Sequence, residues 1–399
     1  MRAHHTSASF MIWHVRRSSE RILTTHVGSL IRPPELLDAM RARDRDPARW
    51  NAAVSTAVRD VVQRQRDAGI DIVDDGEYSK TGFTAYVTDR LEGFEFRPPP
   101  PGQSAMLNRG RDRRAFPDFY REYDATEGQT EGGMTAVCVG PIAYRGREVL
   151  ERDFANLRAA MREAGADEAF IPAAAPGTIE LQRTNAYYPS EETYLFAIAD
   201  AMRTEYQAIV EAGFILQLDD PRVVVQWDLQ DPAPTVAEYR AFAELRIAAL
   251  NRAIAGLPED RMRYHLCWGS WHGPHTTDIP LADIVDLVLR VGVGGYSIES
   301  ANARHAHEWT VWERARLPAG KVLIPGVISH NTNAVEHPDL IAQRIVTFAR
   351  LVGRENVIAG ADCGFAQGAA YRRVHPSIMW AKLRALADGA RLAFARLWR

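Results

Sequence analysis

The sequence has few of the residues that mark several common classes of protein. Only three cysteines occur among 399 residues, Cys138, Cys267 and Cys363, and they are too few and too widely spaced for a disulfide scaffold. Only three lysines occur, against 45 arginines, and the net charge of −3 gives no basic surplus of the kind that indicates nucleic-acid binding. No apolar run approaches the roughly 20 residues that span a bilayer. We therefore expect reduced thiols, a cytoplasmic location, and neither nucleic acid nor membrane as a partner.

Two further absences narrow the fold. No G-x-G-x-x-G motif follows the first predicted strand, which argues against a dinucleotide-binding sheet, and no repeat of solenoid period occurs. What is present is 46% hydrophobic and 25% charged residues, the composition of a globular protein. Apolar stretches typical of buried strands alternate with helical patterns in at least eight units. This alternation predicts an α/β fold, a closed (β/α)8 TIM barrel.

The predicted strands span 22–27, 70–73, 134–139, 169–173, 214–218, 264–268, 295–298, 322–328 and 357–361. The predicted helices include 51–67, 191–212, 236–255, 281–291, 338–352 and 377–397. We expect an N-terminal extension over 1–19 and a single barrel domain over 20–399. The segment 94–133 opens with consecutive prolines and breaks the alternation, which predicts an insertion after the second strand, as a hairpin or lid over the barrel mouth.

Metal-ligating residue types collect at the ends of the later strands. His265 and Cys267 stand two positions apart on one predicted strand, so both side chains face the same side. That pair alone is weak evidence for a metal, and a core cysteine beside a hydrogen-bonded histidine is the simpler interpretation. Glu299 and Cys363, however, end two further strands, and in a barrel all these ends meet at one rim. One nitrogen, two sulfurs and one oxygen together favour a zinc site. Cys138 lies within an apolar run and is expected to be a buried structural thiol.

Short motifs along most of the chain resemble those of the cobalamin-independent methionine synthase family, specifically its catalytic barrel. They are T-T-H-V-G-S (24–29), D-G-E (75–77), Q-L-D-D-P (217–221), H-L-C (265–267), S-I-E (297–299), P-G-V (325–327) and D-C-G (362–364). The resemblance implies that His265, Cys267, Glu299 and Cys363 bind Zn²⁺. It implies methyl transfer to a small, homocysteine-like thiol by way of a zinc-bound thiolate.

The resemblance also implies roles for residues outside the metal site. Glu77 and Asp219 would hold the amino group of the thiol substrate, and the turn at Gly28 and Ser29 would hold its carboxylate. His330 resembles the proton-handling histidine of the family. Separately, the mixed ligand set suggests the hypothesis that Glu299 leaves the metal as the substrate sulfur arrives, which would give this metal ligand a catalytic role as well.

The chain departs from the full-length family members in ways that leave alternatives open. Those enzymes have two barrels, whereas this chain has room for one. Because their N-terminal barrel contributes to folate handling, the alkyl donor here stays open between a folate, a methyl-corrinoid and an epoxide-like molecule. The stretch 267–275 instead resembles short, single-barrel relatives, which include enzymes that join other thiols to epoxides. Trp227, Trp268, Trp271 and the insertion are expected to frame a pocket for a flat or apolar electrophile. A different thiol joined to an epoxide or other activated carbon is the alternative function. A zinc-storage protein and a zinc hydrolase are further alternative functions. Whether the chain forms a homo-oligomer is a separate open question.

Overall fold

The computed structural model describes residues 16–98, 110–126, 134–369 and 371–399. Its strands are β1 Leu23–Thr24, β2 Ile72–Val73, β3 Phe94–Arg97, β4 Thr135–Cys138, β5 Glu168–Ala174, β6 Thr184–Asn185, β7 Ile215–Asp219, β8 Met262–Leu266, β9 Gly295–Ile298, β10 Val322–Ile328 and β11 Ile358–Ala361. Its helices are α1 Pro34–Arg41, α2 Pro47–Asp67, α3 Tyr86–Arg90, α4 Arg111–Ala115, α5 Pro117–Thr126, α6 Arg147–Ala164, α7 Pro176–Glu180, α8 Glu191–Glu211, α9 Arg222–Leu229, α10 Val236–Ile254, α11 Val285–Val288, α12 Pro338–Val352 and α13 Pro376–Leu397.

Eight of these strands form a parallel barrel, in the order β1-β11-β10-β9-β8-β7-β5-β2. The first and last strands of this order also meet, since the amide of Asp71 donates to the carbonyl of Thr24 over 3.1 Å. Helices such as α2, α6, α8, α10, α12 and α13 connect the strands and surround the sheet. The predicted (β/α)8 barrel is therefore confirmed.

Apolar residues divide between two cores because strand side chains alternate in direction. A small cluster, Leu23, Ile72, Phe170, Ile215, Val322, Ile324 and Ile358, forms one core. A larger cluster packs the strands against the helices. In β7 the two sets alternate, with Ile215 in the small cluster and Leu216 and Leu218 in the large one. Positions 217 and 219 therefore share the face of Ile215, inside the barrel and toward the carboxyl end of the strand.

The chain leaves the barrel after its second barrel strand, as predicted. There β3 and β4 form a second, three-stranded sheet with β6, which comes from the connection between β5 and β7. The predicted strand 134–139 forms as β4, which pairs antiparallel with β3. It has no place in the barrel because β2 pairs directly with β5. Parts of the predicted insertion, 99–109 and 127–133, lie outside the described residues, as does most of the predicted extension 1–19.

Two other features differ from or add to the predictions. The predicted helix 281–291 is a 3₁₀ turn, Leu281–Asp283, followed by the short α11, because Ile284 leaves helical geometry with φ −134°. Within the part of the chain that the structure describes, no helix combines the length and the apolar character needed to cross a membrane.

Candidate metal centre and active site

Three of the predicted ligands come together at the carboxyl ends of the barrel strands. The candidate ligand atoms of His265, Cys267 and Cys363 all lie within 4.8 Å of one another. The two sulfurs are 3.4 Å apart, and all three residues are buried. His265 is the second-last residue of β8, Cys267 follows it by two, and Cys363 follows β11. Side-chain alternation along the strand accounts for the pairing of His265 with Cys267, and closure of the barrel brings Cys363 to them.

His265 is oriented for ligation. Its Nδ1 lies 3.1 Å from the hydroxyl of Ser297, while its Nε2 is buried without a hydrogen-bond partner. Burial lowers the pKa of His265 to about 4, so the ring is neutral near pH 7. A neutral ring that donates from Nδ1 to Ser297 leaves the Nε2 lone pair free for a metal ion, as second partners of metal-binding histidines commonly arrange.

Glu299, the fourth predicted ligand, lies in a neighbouring group with His330 and Asp362, whose candidate ligand atoms are also within 4.8 Å of one another. Both of its oxygens accept hydrogen bonds, from the amide of Trp268 and the side chain of Asn302, each over 2.8 Å. Burial and the nearby Asp362 raise the pKa of Glu299 well above its usual value. The structure therefore brings three of the four predicted ligands into one group and keeps the fourth beside it.

His330 is fully buried, and neither of its ring nitrogens has a hydrogen-bond partner among the described residues. Burial, followed by the positive charge of Arg373, lowers its pKa well below the usual value. A neutral, unpaired imidazole next to Glu299 is able to accept or return a proton.

A cavity of about 890 Å³ opens over the candidate metal group, which we define as His265, Cys267 and Cys363, and all three residues line its wall. The predicted substrate residues Ser29, Glu77 and Asp219 also line this cavity. Ser29 and Glu77 lie in the loops after β1 and β2, and Asp219 is the last residue of β7. The barrel rather than any local motif therefore brings them together. Gly28 stands behind them: a Cβ there would lie 2.7 Å from Pro172 and 2.9 Å from Oε1 of Glu77, and its φ is +130°.

The two acidic side chains differ in their environment. Glu77 has φ +57°, and its Oε2 is buried without a hydrogen-bond partner. Asp219 accepts from the side chain of Gln217 over 2.8 Å, and burial raises its pKa to about 7. An orphaned carboxylate oxygen facing a cavity is well suited to a cationic group of a ligand.

The insertion builds one wall of the cavity, a feature that the sequence predicted only in outline. Asp112 of α4 accepts hydrogen bonds from the amides of His275 and Thr276, over 3.2 and 3.0 Å, and from the hydroxyl of Tyr120 over 2.8 Å. Tyr120 in turn accepts from Nε1 of Trp271 over 3.1 Å. This contact ties the insertion to the loop after β8, and sequence reasoning missed Asp112 because its partners lie far away along the chain.

The three tryptophans and the remaining cysteine singled out in the sequence differ in their surroundings. Of the three tryptophans expected to frame the pocket, Trp271 lines the cavity, whereas Trp268 is buried and stacks on His305 at 4.1 Å. Trp227 packs on Tyr239 instead, with ring centroids 5.1 Å apart. Cys138 lies in β4, away from the metal group, with its thiol donating to the carbonyl of Gly140.

The described residues form a parallel (β/α)8 barrel with a candidate metal centre of one imidazole and two thiols at the carboxyl ends of its strands. No protein-family model matches the chain. Methionine synthase from Pyrococcus horikoshii is 24% identical over 345 residues, which cover 86% of this chain and 85% of the relative. The methionine synthase of Saccharolobus solfataricus is 22% identical over 382 residues, covering 94% and 96%.

The fold has solved counterparts. The B12-independent methionine synthase from Shewanella sp. W3-18-1, solved in complex with selenomethionine, superposes with a TM-score of 0.72 at 20% identity, over 95% of this chain and 99% of that one. The B12-independent enzyme from Listeria monocytogenes, described as putative, gives a TM-score of 0.63 at 19% identity, covering 93% and 98%. The comparisons confirm the resemblance to the cobalamin-independent methionine synthase family.

Proposed function

We propose that this chain is a zinc-dependent methyltransferase whose acceptor is the thiol of homocysteine or a close analogue. The observation that carries the proposal is the position of the His265, Cys267 and Cys363 group, which opens into the same cavity as the unpaired carboxylate oxygen of Glu77. A thiol-activating centre and a site for an ammonium group, facing one space, fit an amino acid that carries a thiol. The methionine synthases to which the chain is similar support the same acceptor.

The donor set fits zinc. Two thiolates and a neutral imidazole together carry two negative charges. Zinc binds sulfur and nitrogen donors of these kinds, with four ligands in a tetrahedron. The orphaned Nε2 of His265 supplies a ready lone pair. We assign Glu299 as the fourth ligand, because it directly follows β9, the strand next to that of His265. Zinc, when bound, would supply the positive charge that lowers the pKa of a substrate thiol and keeps it ionised at neutral pH.

The residues of the chain would bind and orient the thiol substrate. Glu77 and Asp219 would accept hydrogen bonds from its ammonium group, and Ser29, with the backbone at Gly28, would hold its carboxylate. These contacts fix the sulfur against the metal group and convert an encounter into an aligned attack. His330 would hold or release a proton beside Glu299, because its neutral ring has both nitrogens free.

The first experiment is elemental analysis of the purified chain with the zinc X-ray absorption spectrum recorded before and after homocysteine is added. We expect one zinc per chain and a new sulfur ligand on addition. Cys267→Ala and Cys363→Ala should lose most of the metal, whereas Cys138→Ala, the matched control outside the site, should keep it. Absence of zinc in the wild-type chain with its cysteines reduced would refute the metal assignment.

Activity separates the main proposal from its alternative. Methionine should form from homocysteine when methylcobalamin or methyltetrahydrofolate is supplied as the donor. Zinc that gains no sulfur from homocysteine, together with thioether formation from another thiol and an epoxide, would favour the alternative alkyltransferase. The feature that supports this alternative is the pair of cavity-lining aromatic side chains Tyr120 and Trp271, which could pack against a flat or apolar electrophile.

A further inference from the structure

The cavity wall carries several arginines whose charges are already balanced or whose donors are occupied. Arg113 forms two hydrogen bonds to Asp124, over 2.8 and 3.0 Å. Arg43 approaches Asp89 at 3.4 Å. Arg183 donates to the carbonyl of Thr84 over 2.7 Å and to the hydroxyl of Thr88 over 3.0 Å. None of these three side chains requires a ligand to complete its hydrogen bonding.

Arg373 differs from them. Its Nη1 donates to the hydroxyl of Tyr123 over 3.1 Å, and its Nε is buried without a hydrogen-bond partner. Among the residues described by the structure, no carboxylate forms an ion pair with it. A guanidinium has five donors in a planar fork that matches the two oxygens of a carboxylate or phosphate. An arginine on a cavity wall with a neutral partner and an orphaned donor therefore fits an anionic ligand.

The location of Arg373 indicates which substrate carries the anion. Arg373 lies in the loop between β11 and α13, ten positions after Cys363, and its partner Tyr123 belongs to α5 of the insertion. The residues proposed to hold the amino-acid thiol lie at other strands of the barrel: Ser29 follows β1, Glu77 follows β2 and Asp219 is the last residue of β7. Arg373 thus lines the cavity in contact with the insertion through Tyr123, whose ring centroid is 6.3 Å from that of Tyr120.

We propose that Arg373, oriented by Tyr123, binds an oxyanion of the second substrate, the alkyl donor. The group recognised is a carboxylate, sulfonate or phosphate on a molecule whose flat part packs against Tyr120 and Trp271. The inference rests on the proposed function in assigning Ser29, Glu77 and Asp219 to the thiol substrate. The insertion then determines donor specificity, because it supplies Tyr123 and Tyr120.

A binding experiment tests the subsite without methyl transfer. Benzoate, benzenesulfonate and phenyl phosphate serve as anionic probes and benzamide as the neutral counterpart of benzoate, with dissociation constants measured by titration calorimetry. The wild-type chain should bind at least one anion tenfold or more tightly than benzamide, and the preferred anion identifies the class of group. Arg373→Gln should lose this preference, and Tyr123→Phe should lose part of it.

The matched control is Arg43→Gln, which removes a cavity arginine that already has a carboxylate partner and should keep the preference. Circular dichroism checks that each variant is folded. A wild-type chain without preference for any of the three anions would overturn the proposal. So would an Arg373→Gln variant that keeps the preference.

Kinetics test which substrate Arg373 serves. With whichever donor supports methionine formation, Arg373→Gln should raise the KM of that donor about tenfold to 100-fold and change the KM of homocysteine less than twofold. The reverse pattern would place the carboxylate of homocysteine at Arg373 and refute the assignment to the donor. Failure of the wild-type chain to methylate homocysteine would refute the proposed function instead, and the calorimetric result would still decide on the subsite.

Discussion

Replacing Asp112 by Asn tests how firmly the insertion is fixed to the barrel. Asp112 is 2% exposed. Its Oδ1 accepts from the amide and the hydroxyl of Thr276, over 3.0 and 2.6 Å. Its Oδ2 accepts from the hydroxyl of Tyr120 over 2.8 Å and from the amide of His275 over 3.2 Å. One carboxylate thus joins α4, α5 and the loop that carries Trp271.

The expected loss follows from these contacts. An Asn at position 112 keeps the two bonds made by Oδ1, although without the charge. Its amide nitrogen takes the place of Oδ2, so the amide of His275 faces a donor and loses its acceptor. An unsatisfied buried donor costs about 1 to 3 kcal/mol, and loss of charge weakens the remaining bonds. We expect Asp112→Asn to favour local opening by about 2 to 4 kcal/mol.

Hydrogen exchange measures this opening directly, because the amides of His275 and Thr276 are the donors concerned. We expect them to exchange about 30-fold to 1,000-fold faster in Asp112→Asn, the ratio that corresponds to the free energy above. The control is Asp118→Asn on α5, since the Asp118 side chain is 86% exposed and forms an ion pair with the exposed Arg121. That variant should change exchange little. Unaltered protection in Asp112→Asn would refute the view that this carboxylate fixes the insertion.

Three further predictions concern the thiol side of the cavity and the barrel interior. Glu77→Gln should raise the KM of homocysteine about tenfold or more with zinc content unchanged, measured by initial rates and elemental analysis, and an unchanged KM would contradict the assignment. Gly28→Ala should destabilise the fold by about 2 to 4 kcal/mol in urea, because its φ is +130° and the new Cβ would contact Pro172 at 2.7 Å; an unchanged midpoint would show that this backbone relaxes freely. His26 has its pKa lowered to about 4 by burial, so the unfolded chain binds a proton more readily between pH 6.5 and 4. The neutral His26 therefore contributes to the free energy of unfolding above pH 6.5, and this contribution is lost as the pH falls toward 4, by up to about 3 kcal/mol. His26→Gln should therefore show a shallower loss of unfolding free energy over this range, and equal slopes would count against it.

Much of the barrel could be predicted from the chain because its signals are local. Apolar stretches alternate with amphipathic ones, and the strands β7 to β11 form where those stretches lie. The weaker predictions failed for physical reasons. The strand 134–139 has the composition of a barrel strand, yet it forms β4 in the small sheet because β2 and β5 pair with each other. The helix 281–291 shortens at Ile284, where the backbone leaves helical geometry.

The candidate metal group also combines features that the sequence predicts with features that only the tertiary structure decides. The spacing of His265 and Cys267 by two residues on a strand directs both side chains inward, so this pair is readable from the sequence. The proximity of Cys363 follows once eight parallel strands close. The sequence does not reveal that both oxygens of Glu299 are held by Trp268 and Asn302, because those hydrogen bonds depend on the conformation of two loops.

The sequence by itself determined the fold class, the kinds of candidate metal-binding side chain near the strand ends and the interruption between the second and third barrel strands. These properties depend on side-chain alternation and on composition over short distances. Only the tertiary structure decided that Asp112 fixes the insertion to the loop after β8 and that Arg373 meets Tyr123 across 250 positions of sequence. Such contacts carry no local pattern, since they arise when segments far apart in the chain are packed over one cavity.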